Sequence, residues 1–349
     1  MTRSFALIGL ALVATACGSD SATAPKGFLH GQVGLVVNST GRALTMFQLS
    51  SPDSQRTVSF GGSNAITPVD ASVRKTLALV PLGDAASAAL VDLTTPVVKR
   101  VFLYPSGFAT GSAFVDDTTI VIDNTGNGTI GRVTVNQSSD TIADTVHVAP
   151  MPSAIMVSGS NAYVVSANED ANFTSLGNGI LTKVNLGTMT VSDTVSLGGL
   201  NSSAGALGPD GKLYILNTGD FVNSGSISIV DPSSMTVLET DPTIVGPGAI
   251  QIDAAGLAYI SSFTVGTVIW NTATKAYVRG PNNPLCAPSP SGCRGAFDAI
   301  VDSHGNVYQT FFGTQSLPGQ VFVYAASTYA LTDSVSAGVG PTALRIASF

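Results

Sequence analysis

The chain has 349 residues and a mass of 35.4 kDa, with 44% hydrophobic residues and a net charge of −7. Only 11% of its residues are Asp, Glu, Lys or Arg, whereas globular domains average about 25%. The 15 Lys and Arg residues against 22 Asp and Glu residues provide no basic field for phosphate backbones, which argues against nucleic acid as a partner. The hydrophobic content also excludes a disordered acidic tail.

The N-terminus has the features of an export signal. Arg3 provides a positive charge, and the ten residues from Phe5 to Ala14 form an apolar segment that is too short to span a bilayer. The segment Ala14-Thr15-Ala16-Cys17 resembles a bacterial lipobox, in which the signal peptidase cuts before a cysteine that then carries the lipid. An ordinary secretory signal that contains a cysteine is the alternative.

This resemblance implies three parts: a lipoprotein signal peptide over residues 1–16, a lipidated Cys17 with its tether over 17–29, and a folded body over 30–349. The residues after Cys17 are small, polar and Pro-containing, as in flexible linkers. Gly18, by similarity to the sorting of Gram-negative lipoproteins, implies the outer membrane, on its periplasmic or its surface face. The lipid anchor is then the only expected contact with the membrane.

The two remaining cysteines lie close together, with six residues between Cys286 and Cys293 in a Pro-rich stretch. In the oxidising compartment that export implies, we expect them to form a disulfide that holds one protruding loop in shape. A redox-active pair is the alternative, although such pairs favour a two-residue spacer at a helix N-terminus.

From residue 30 onward, short runs of Val, Ile, Leu, Tyr and Phe alternate with Gly, Asn, Asp, Ser and Pro, a pattern that predicts an all-β chain. A unit of strand, polar turn and strand recurs seven times, at intervals of 44, 44, 49, 46, 40 and 53 residues. Its turn-entry positions, in chain order, are Gln48, Asp92, Asn136, Asn185, Asp231, Asn271 and Tyr324.

A second pair of strands precedes most of these units, as in the segment ALGPDGKLYILN of residues 206–217. Four strands at a period in the forties predict the blades of a β-propeller, here with seven blades. The first unit lacks its innermost strand, while the chain ends with an unpartnered strand over Pro341 to Phe349. We therefore expect the C-terminal strand to complete the first blade and remove the open sheet edges.

The segment ALGPDGKLYILNTGDFVNSGSISIVDPSSMTVLET resembles a repeat of the YVTN-type β-propeller family, and its signature tyrosine recurs at Tyr163, Tyr214, Tyr259 and Tyr308. The first three blades carry the pattern without the tyrosine. With one tryptophan, Trp270, the chain does not resemble the WD40 propellers. The family resemblance implies no single activity, because the fold hosts many.

The longer connections are expected on one face of the ring, rimming the central channel, where binding usually occurs. They include residues 166–179, 217–225, 311–319 and 279–295. The alternative is that these loops only vary in length. The predicted polar ligand contacts are Asp123, Asn124, Asn168, Asp170, Asn172, Asp220 and Asn223, and the predicted apolar contacts are Phe108, Phe173, Phe221, Phe311 and Phe312.

Features of catalysis are sparse in this sequence. His30, His147 and His304 fall on different blade positions, which argues against a three-histidine metal site or a Ser-His-Asp triad. The GxGxxG match over residues 126–131 lies between two strands and is predicted as a turn. We expect no cofactor other than a weak Ca²⁺ candidate at Asn168, Glu169, Asp170 and Asn172, for which a solvated loop is the alternative.

These features favour a non-catalytic binding protein of the cell envelope that uses its loop-rich face. Its expected partner is an envelope protein, a peptide or a glycan. One alternative is a metal-dependent propeller hydrolase or lyase similar to the lactonases, but Asp253 and Asp302 are predicted on the face opposite the long loops. A structural component of an envelope assembly is the other.

Overall fold

The computed structural model describes residues 30–289 and 292–349, and the side chains of 287–294 fall outside it. The predicted signal peptide, Cys17 and the tether lie outside the described residues. Within the described part the chain is all-β, with a single short 3-10 helix (Thr125–Asn127). No helix of this part has the length and apolar character needed to cross a membrane.

Seven antiparallel sheets of four strands form the blades. The first four blades contain β1 (Gln32–Asn38), β2 (Ala43–Gln48) and β3 (Ser51–Ser59); β4 (Ser72–Arg74), β5 (Leu77–Pro81), β6 (Ser87–Asp92) and β7 (Val97–Leu103); β8 (Ser112–Phe114), β9 (Thr119–Asn124), β10 (Thr129–Thr134) and β11 (Asp144–His147); and β12 (Pro152–Ser158), β13 (Asn161–Ser166), β14 (Ile180–Asn185) and β15 (Thr190–Ser196).

The remaining strands complete the ring. Blades 5 to 7 contain β16 (Ser202–Leu207), β17 (Leu213–Asn217), β18 (Ser224–Asp231) and β19 (Thr236–Val245); β20 (Pro247–Ile252), β21 (Leu257–Ser262), β22 (Gly266–Asn271) and β23 (Ala276–Arg279); and β26 (Ala299–Val301), β27 (Val307–Phe311), β28 (Pro318–Tyr324) and β29 (Leu331–Val339). A separate hairpin of β24 (Ala287–Ser289) and β25 (Gly292–Arg294) lies between blades 6 and 7.

The C-terminal strand β30 (Pro341–Ser348) is the inner strand of blade 1. It pairs antiparallel with β1, from Gln32 opposite Ser348 to Asn38 opposite Pro341. The inner strands β30, β4, β8, β12, β16, β20 and β26 contact one another in that order, and β26 contacts β30 again. The predicted seven-bladed propeller, with its first blade closed by the C-terminal strand, is therefore confirmed.

The hydrophobic core lies between the blades. Each of the seven buried clusters joins two neighbouring blades, and together they occupy all seven interfaces. Successive side chains of a strand point to opposite sides, so Val33 and Leu35 of β1 pack toward blade 2 while Val36 packs toward blade 7. Because the middle strands are buried on both sides, they read as continuous apolar runs and not as alternating ones.

The repeated polar residues have a structural role. Asp92, Asn185, Asp231 and Asn271 each accept hydrogen bonds from the backbone N–H groups two and three positions later, which closes the turn between the third and fourth strands. Three of the four signature tyrosines donate to the aspartate of the turn before them: Tyr214 to Asp210, Tyr259 to Asp253 and Tyr308 to Asp302.

The propeller has two unlike faces. The turn face carries the connections from first to second and from third to fourth strands, including Asp253 and Asp302 as predicted. The loop face carries the other connections, including the long segments 167–179 and 280–298. One long connection, residues 135–143, lies on the turn face, where Arg100 donates to Asp140 at 2.7 Å.

Candidate functional site

A cavity of about 640 Å³ opens on the loop face, at the centre of the ring. Its lining comes from inner strands and loops all around the ring, so only the closed propeller forms it. A volume in this range is typical of small-molecule sites. This central cavity is the candidate site.

Small residues on the inner strands leave this space open. The wall includes Ala154 of β12, Gly205 of β16, Gly248 of β20 and Ala343 of β30. A Cβ atom at Gly248 would lie 3.1 Å from the ring of Phe263, and one at Gly205 would lie 2.8 Å from the terminal methyl of Met156. Larger side chains at these positions would fill the channel or displace its walls.

The mouth of the cavity is aromatic. Phe173, Phe221 and Phe263 line it while remaining 66%, 55% and 45% exposed. Phe297 lies 4.5 Å from Phe263 between ring centroids and also lines the wall. Exposed rings of this size carry apolar surface that a partner or ligand would cover.

Two of these rings are held by unusual backbone conformations. Phe173 has φ of 61° and Phe221 has φ of 62°, in the left-handed region that bulky residues rarely adopt. The N–H of Phe173 bonds to the carbonyl of Asp170 at 2.9 Å, which places the ring at the tip of its loop. The same conformation occurs in hairpin turns elsewhere in the described part, for example at Met189 and Met235, so it is a feature of the turn backbone.

An ionic cluster forms one side of the cavity. Arg345 of β30 donates from Nη1 to Asp298 Oδ2 at 2.6 Å, from Nη2 to Asp70, and from Nε to the carbonyl of Ala71 at 2.8 Å. Asp298 also accepts from the backbone N–H of Leu344 at 3.0 Å. Because Asp70 precedes blade 2 and Asp298 precedes blade 7, this cluster joins the inner strands of three neighbouring blades.

The charges of this cluster depend on one another. Burial opposes the charged form of Arg345, but the charges of Asp70 and Asp298 outweigh it and raise the pKa of the guanidinium. Burial also raises the pKa of the Asp298 carboxyl, whereas Arg345 and the N–H of Leu344 oppose that rise. In this cluster one guanidinium therefore stabilises two carboxyl groups, and each charge depends on its partners.

Asp123, at the end of β9, lies fully buried behind the wall and does not reach the cavity. It accepts from the N–H groups of Thr110 at 2.7 Å and Gly111 at 2.8 Å, and from the Thr110 hydroxyl at 3.1 Å. Burial raises the pKa of Asp123 to about 7, although these hydrogen bonds favour its ionised form. The hydroxyls of Thr110 and Thr125, 2.7 Å apart, present this polar patch to the cavity.

The predicted ligand residues separate into two groups. Phe108, Phe173 and Phe221 line the cavity, and Phe312 supports its wall by stacking on Phe297 at 5.0 Å. Phe311 packs toward the core instead, with its ring 6.2 Å from Phe322.

Most predicted polar contacts are occupied by hydrogen bonds within their own loops. Asn124 caps the 3-10 helix by accepting from Asn127 N–H, and Asp170 accepts from the N–H groups of Asn172 and Thr174. Asn168 donates to the carbonyl of Asn178, and Asp220 accepts from the N–H and side-chain amide of Asn223. None of these six predicted residues lines the central cavity.

The Ca²⁺ candidate loop stays a prediction. Of its four residues, Glu169 lines the central cavity, while Asp170 directs one oxygen to its own loop backbone. No group of three or more His, Cys, Asp and Glu residues with metal-site geometry occurs in the described part of the chain. The three histidines lie apart, as predicted, and each is exposed.

The sequence interpretation missed Asp70, Asp298, Arg345, Phe263 and Phe297. A signal for the two aspartates was present, because each stands directly before an alanine that leads into an inner strand, in PVDASV and AFDAIV. Arg345 is the only charged residue of β30. A single basic residue in the closing strand, together with an aspartate before each neighbouring inner strand, could have predicted this ionic cluster.

The hairpin of β24 and β25 lies in the connection between blades 6 and 7, on the loop face. Cys286 directly precedes β24, and Cys293 lies in β25, where its side chain is outside the described residues. The predicted disulfide therefore remains a prediction. Gly295 sits at the base of the hairpin so close to Phe263 that a Cβ atom there would lie 1.6 Å from the Phe263 carbonyl oxygen.

The chain matches no family model and no curated protein sequence. Solved structures do share its fold. A functionally unknown protein from Desulfotomaculum acetoxidans DSM 771 aligns with a TM-score of 0.68 at 13% identity, over 90% of this chain and 99% of that one. A chain of hydrazine synthase from Kuenenia stuttgartiensis aligns with a TM-score of 0.60 at 14% identity, over 82% of this chain and 91% of that one. At such identities the likeness shows the β-propeller fold alone.

Proposed function

We propose that this protein is an exported, lipid-anchored component of the bacterial cell envelope, and that it binds a ligand in its central cavity without transforming it. The observation that carries the proposal is the cavity itself, which combines a volume of about 640 Å³ with an exposed aromatic mouth and a small number of polar groups. This combination is the usual composition of a ligand site.

The state of the buried carboxylates Asp298 and Asp123 favours binding over catalysis. Asp298 accepts hydrogen bonds from the N–H groups of Ala299 and Leu344 and an ion pair from Arg345. Asp123 is likewise surrounded by donors from Thr110 and Gly111. General acids, bases and nucleophiles need a lone pair or proton directed at the substrate, whereas these groups direct theirs into the fold.

Thermal unfolding of the purified protein, with a library of small molecules, peptides and glycans, tests the cavity. A ligand that binds only the folded state adds about 2.7 kcal/mol of stability at one hundred times its dissociation constant. We expect the double variant Phe173→Ala/Phe221→Ala to unfold at nearly the wild-type temperature and to lose this response. Leu331→Ala, which removes a similarly exposed side chain from outer strand β29, is the matched control.

A ligand that raises the unfolding temperature of Phe173→Ala/Phe221→Ala as strongly as that of the wild type would place the binding site elsewhere. If no compound shifts the wild type, a protein partner or a structural role replaces the proposal. The same assay with Ca²⁺ or EDTA tests the candidate loop at Asp170, since a metal-induced shift that Asp170→Asn abolishes would establish a cation there.

The anchor is tested separately. Cys17→Ser should release the protein from the membrane fraction, and the mass of the wild-type N-terminus should include lipid. An unmodified Cys17 in the mature protein would contradict the anchor without touching the cavity proposal.

A further inference from the structure

We propose that the ligand of the central cavity is an organic cation, an ammonium group joined to an apolar body. This inference rests on the proposed function and names the chemical class that the cavity selects.

The charges of the lining are unbalanced. Among the residues that form it, three carry a carboxyl group, namely Asp70, Glu169 and Asp298, and one, Arg345, carries a basic group. Arg345 is engaged by acceptors of the fold: its Nε, Nη1 and Nη2 bond to a carbonyl and to two carboxylates. The guanidinium is thus committed to the wall, and an anionic ligand would have to compete with Asp70 and Asp298 for it.

Glu169 holds the uncompensated charge. Glu169 is one of the residues that line the cavity, and its carboxylate makes no hydrogen bond or ion pair with the described residues. The side chain is half-buried and adjacent in sequence to Asp170, so a positive group placed beside it would be favoured.

The aromatic mouth suits the same ligand. Phe108, Phe173, Phe221, Phe263 and Phe297 line the cavity. The face of an aromatic ring attracts a cation within about 6 Å of its centroid, and such rings commonly surround ammonium groups in proteins. The lining holds no Tyr or Trp, so these rings provide apolar surface and ring faces but no donor for an anion.

Three probes with one phenylbutyl body separate charge from apolar contact: 4-phenylbutylamine, 4-phenyl-1-butanol and 4-phenylbutyrate. Calorimetric titration of the full protein at neutral pH should show the amine binding about tenfold more tightly than the alcohol, the gain of a charge-assisted contact in a partly exposed site. The butyrate should bind more weakly than the alcohol.

The variant Glu169→Gln should remove this preference by weakening the amine about tenfold while leaving the alcohol unchanged. Asp84→Asn is the matched control, because it removes an equal charge from an exposed loop of the same face outside the cavity lining. Its amine affinity should stay within twofold of wild type.

Equal binding of the amine and the alcohol, or an amine affinity unchanged by Glu169→Gln, overturns the cation inference while the cavity proposal stands. Tightest binding of the butyrate overturns it in favour of an anion at Arg345. If none of the probes binds, and no library compound responds to the Phe173→Ala/Phe221→Ala variant, both proposals fail.

Discussion

Arg345 should be the most sensitive charged residue of the propeller, and the variant Arg345→Met tests this. Methionine keeps much of the apolar stem but removes the guanidinium. The Asp298 side chain, 3% exposed, then loses its ion pair and keeps only the N–H groups of Ala299 and Leu344 as donors, whereas the Arg345 side chain itself is 21% exposed. Breaking a buried ion pair in this way costs about 3–5 kcal/mol. Asp70 is more exposed and should add little.

The loss should depend on pH. Without Arg345, burial leaves the folded-state pKa of Asp298 well above its unfolded value of about 3.9. A raised carboxyl pKa contributes stability that is fully present below the unfolded pKa and is lost as the pH rises through the folded pKa. The variant should therefore come closest to the wild type near pH 4 and fall further behind as the pH rises toward 8.

Urea denaturation measures the effect, followed both by circular dichroism and by the fluorescence of Trp270, which is buried in β22. The double variant Arg345→Met/Asp298→Asn removes the buried charge as well and should recover at least half of the loss, since the two residues act as one unit. A cost below about 1 kcal/mol, or a double variant less stable than Arg345→Met, would refute the assignment of Asp298 as a buried charge held by Arg345.

Three further outcomes follow from the fold. Burial raises the folded-state pKa of Asp123 to about 7, so the stability that its protonated form contributes is lost as the pH rises through 7. Between pH 5 and 8 the wild type should therefore lose about 2–3 kcal/mol more stability than Asp123→Asn. Urea midpoints that change in parallel for the two proteins would contradict this. Gly295→Ala should displace the β24–β25 hairpin from Phe263 and weaken ligand binding, whereas Gly62→Ala should be neutral because a Cβ atom there meets nothing within 4 Å. Equal effects of the two variants on thermal unfolding would argue against the close contact between Gly295 and Phe263. Removal of residues 341–349 deletes β30, including the fully buried Leu344, and opens the contacts among blades 1, 2 and 7, so thermal unfolding followed by circular dichroism should no longer be cooperative. A sharp transition near the wild-type temperature would show that the ring does not need its closing strand.

The blades could be predicted because they depend on local rules. Apolar runs, Asx turns such as that of Asp231, and a repeat in the forties are each readable within one unit, and the unpaired strand at Pro341 follows from counting them. Ring closure was thus accessible from the sequence.

The site was harder to predict, because it assembles only in the closed ring. Arg345 meets Asp70 across 275 positions and Asp298 across 47, and no local pattern relates such residues. Conversely, Asp170 and Asp220 were attractive because ligand sites and loop turns use the same side chains. In the structure each accepts N–H bonds from residues two to four positions later.

The pairing of β1 with β30 also places both ends of the folded body on one face of the propeller. Gln32 and Ser348 are opposite each other, and Phe349 donates its N–H to Gly31 at 2.9 Å, so both ends of the folded body lie on the turn face. Whatever precedes residue 30 must leave from that face. An N-terminal anchor would therefore join the propeller on the face opposite the aromatic mouth, so that the point of attachment and the entrance to the cavity lie at opposite ends of the central channel.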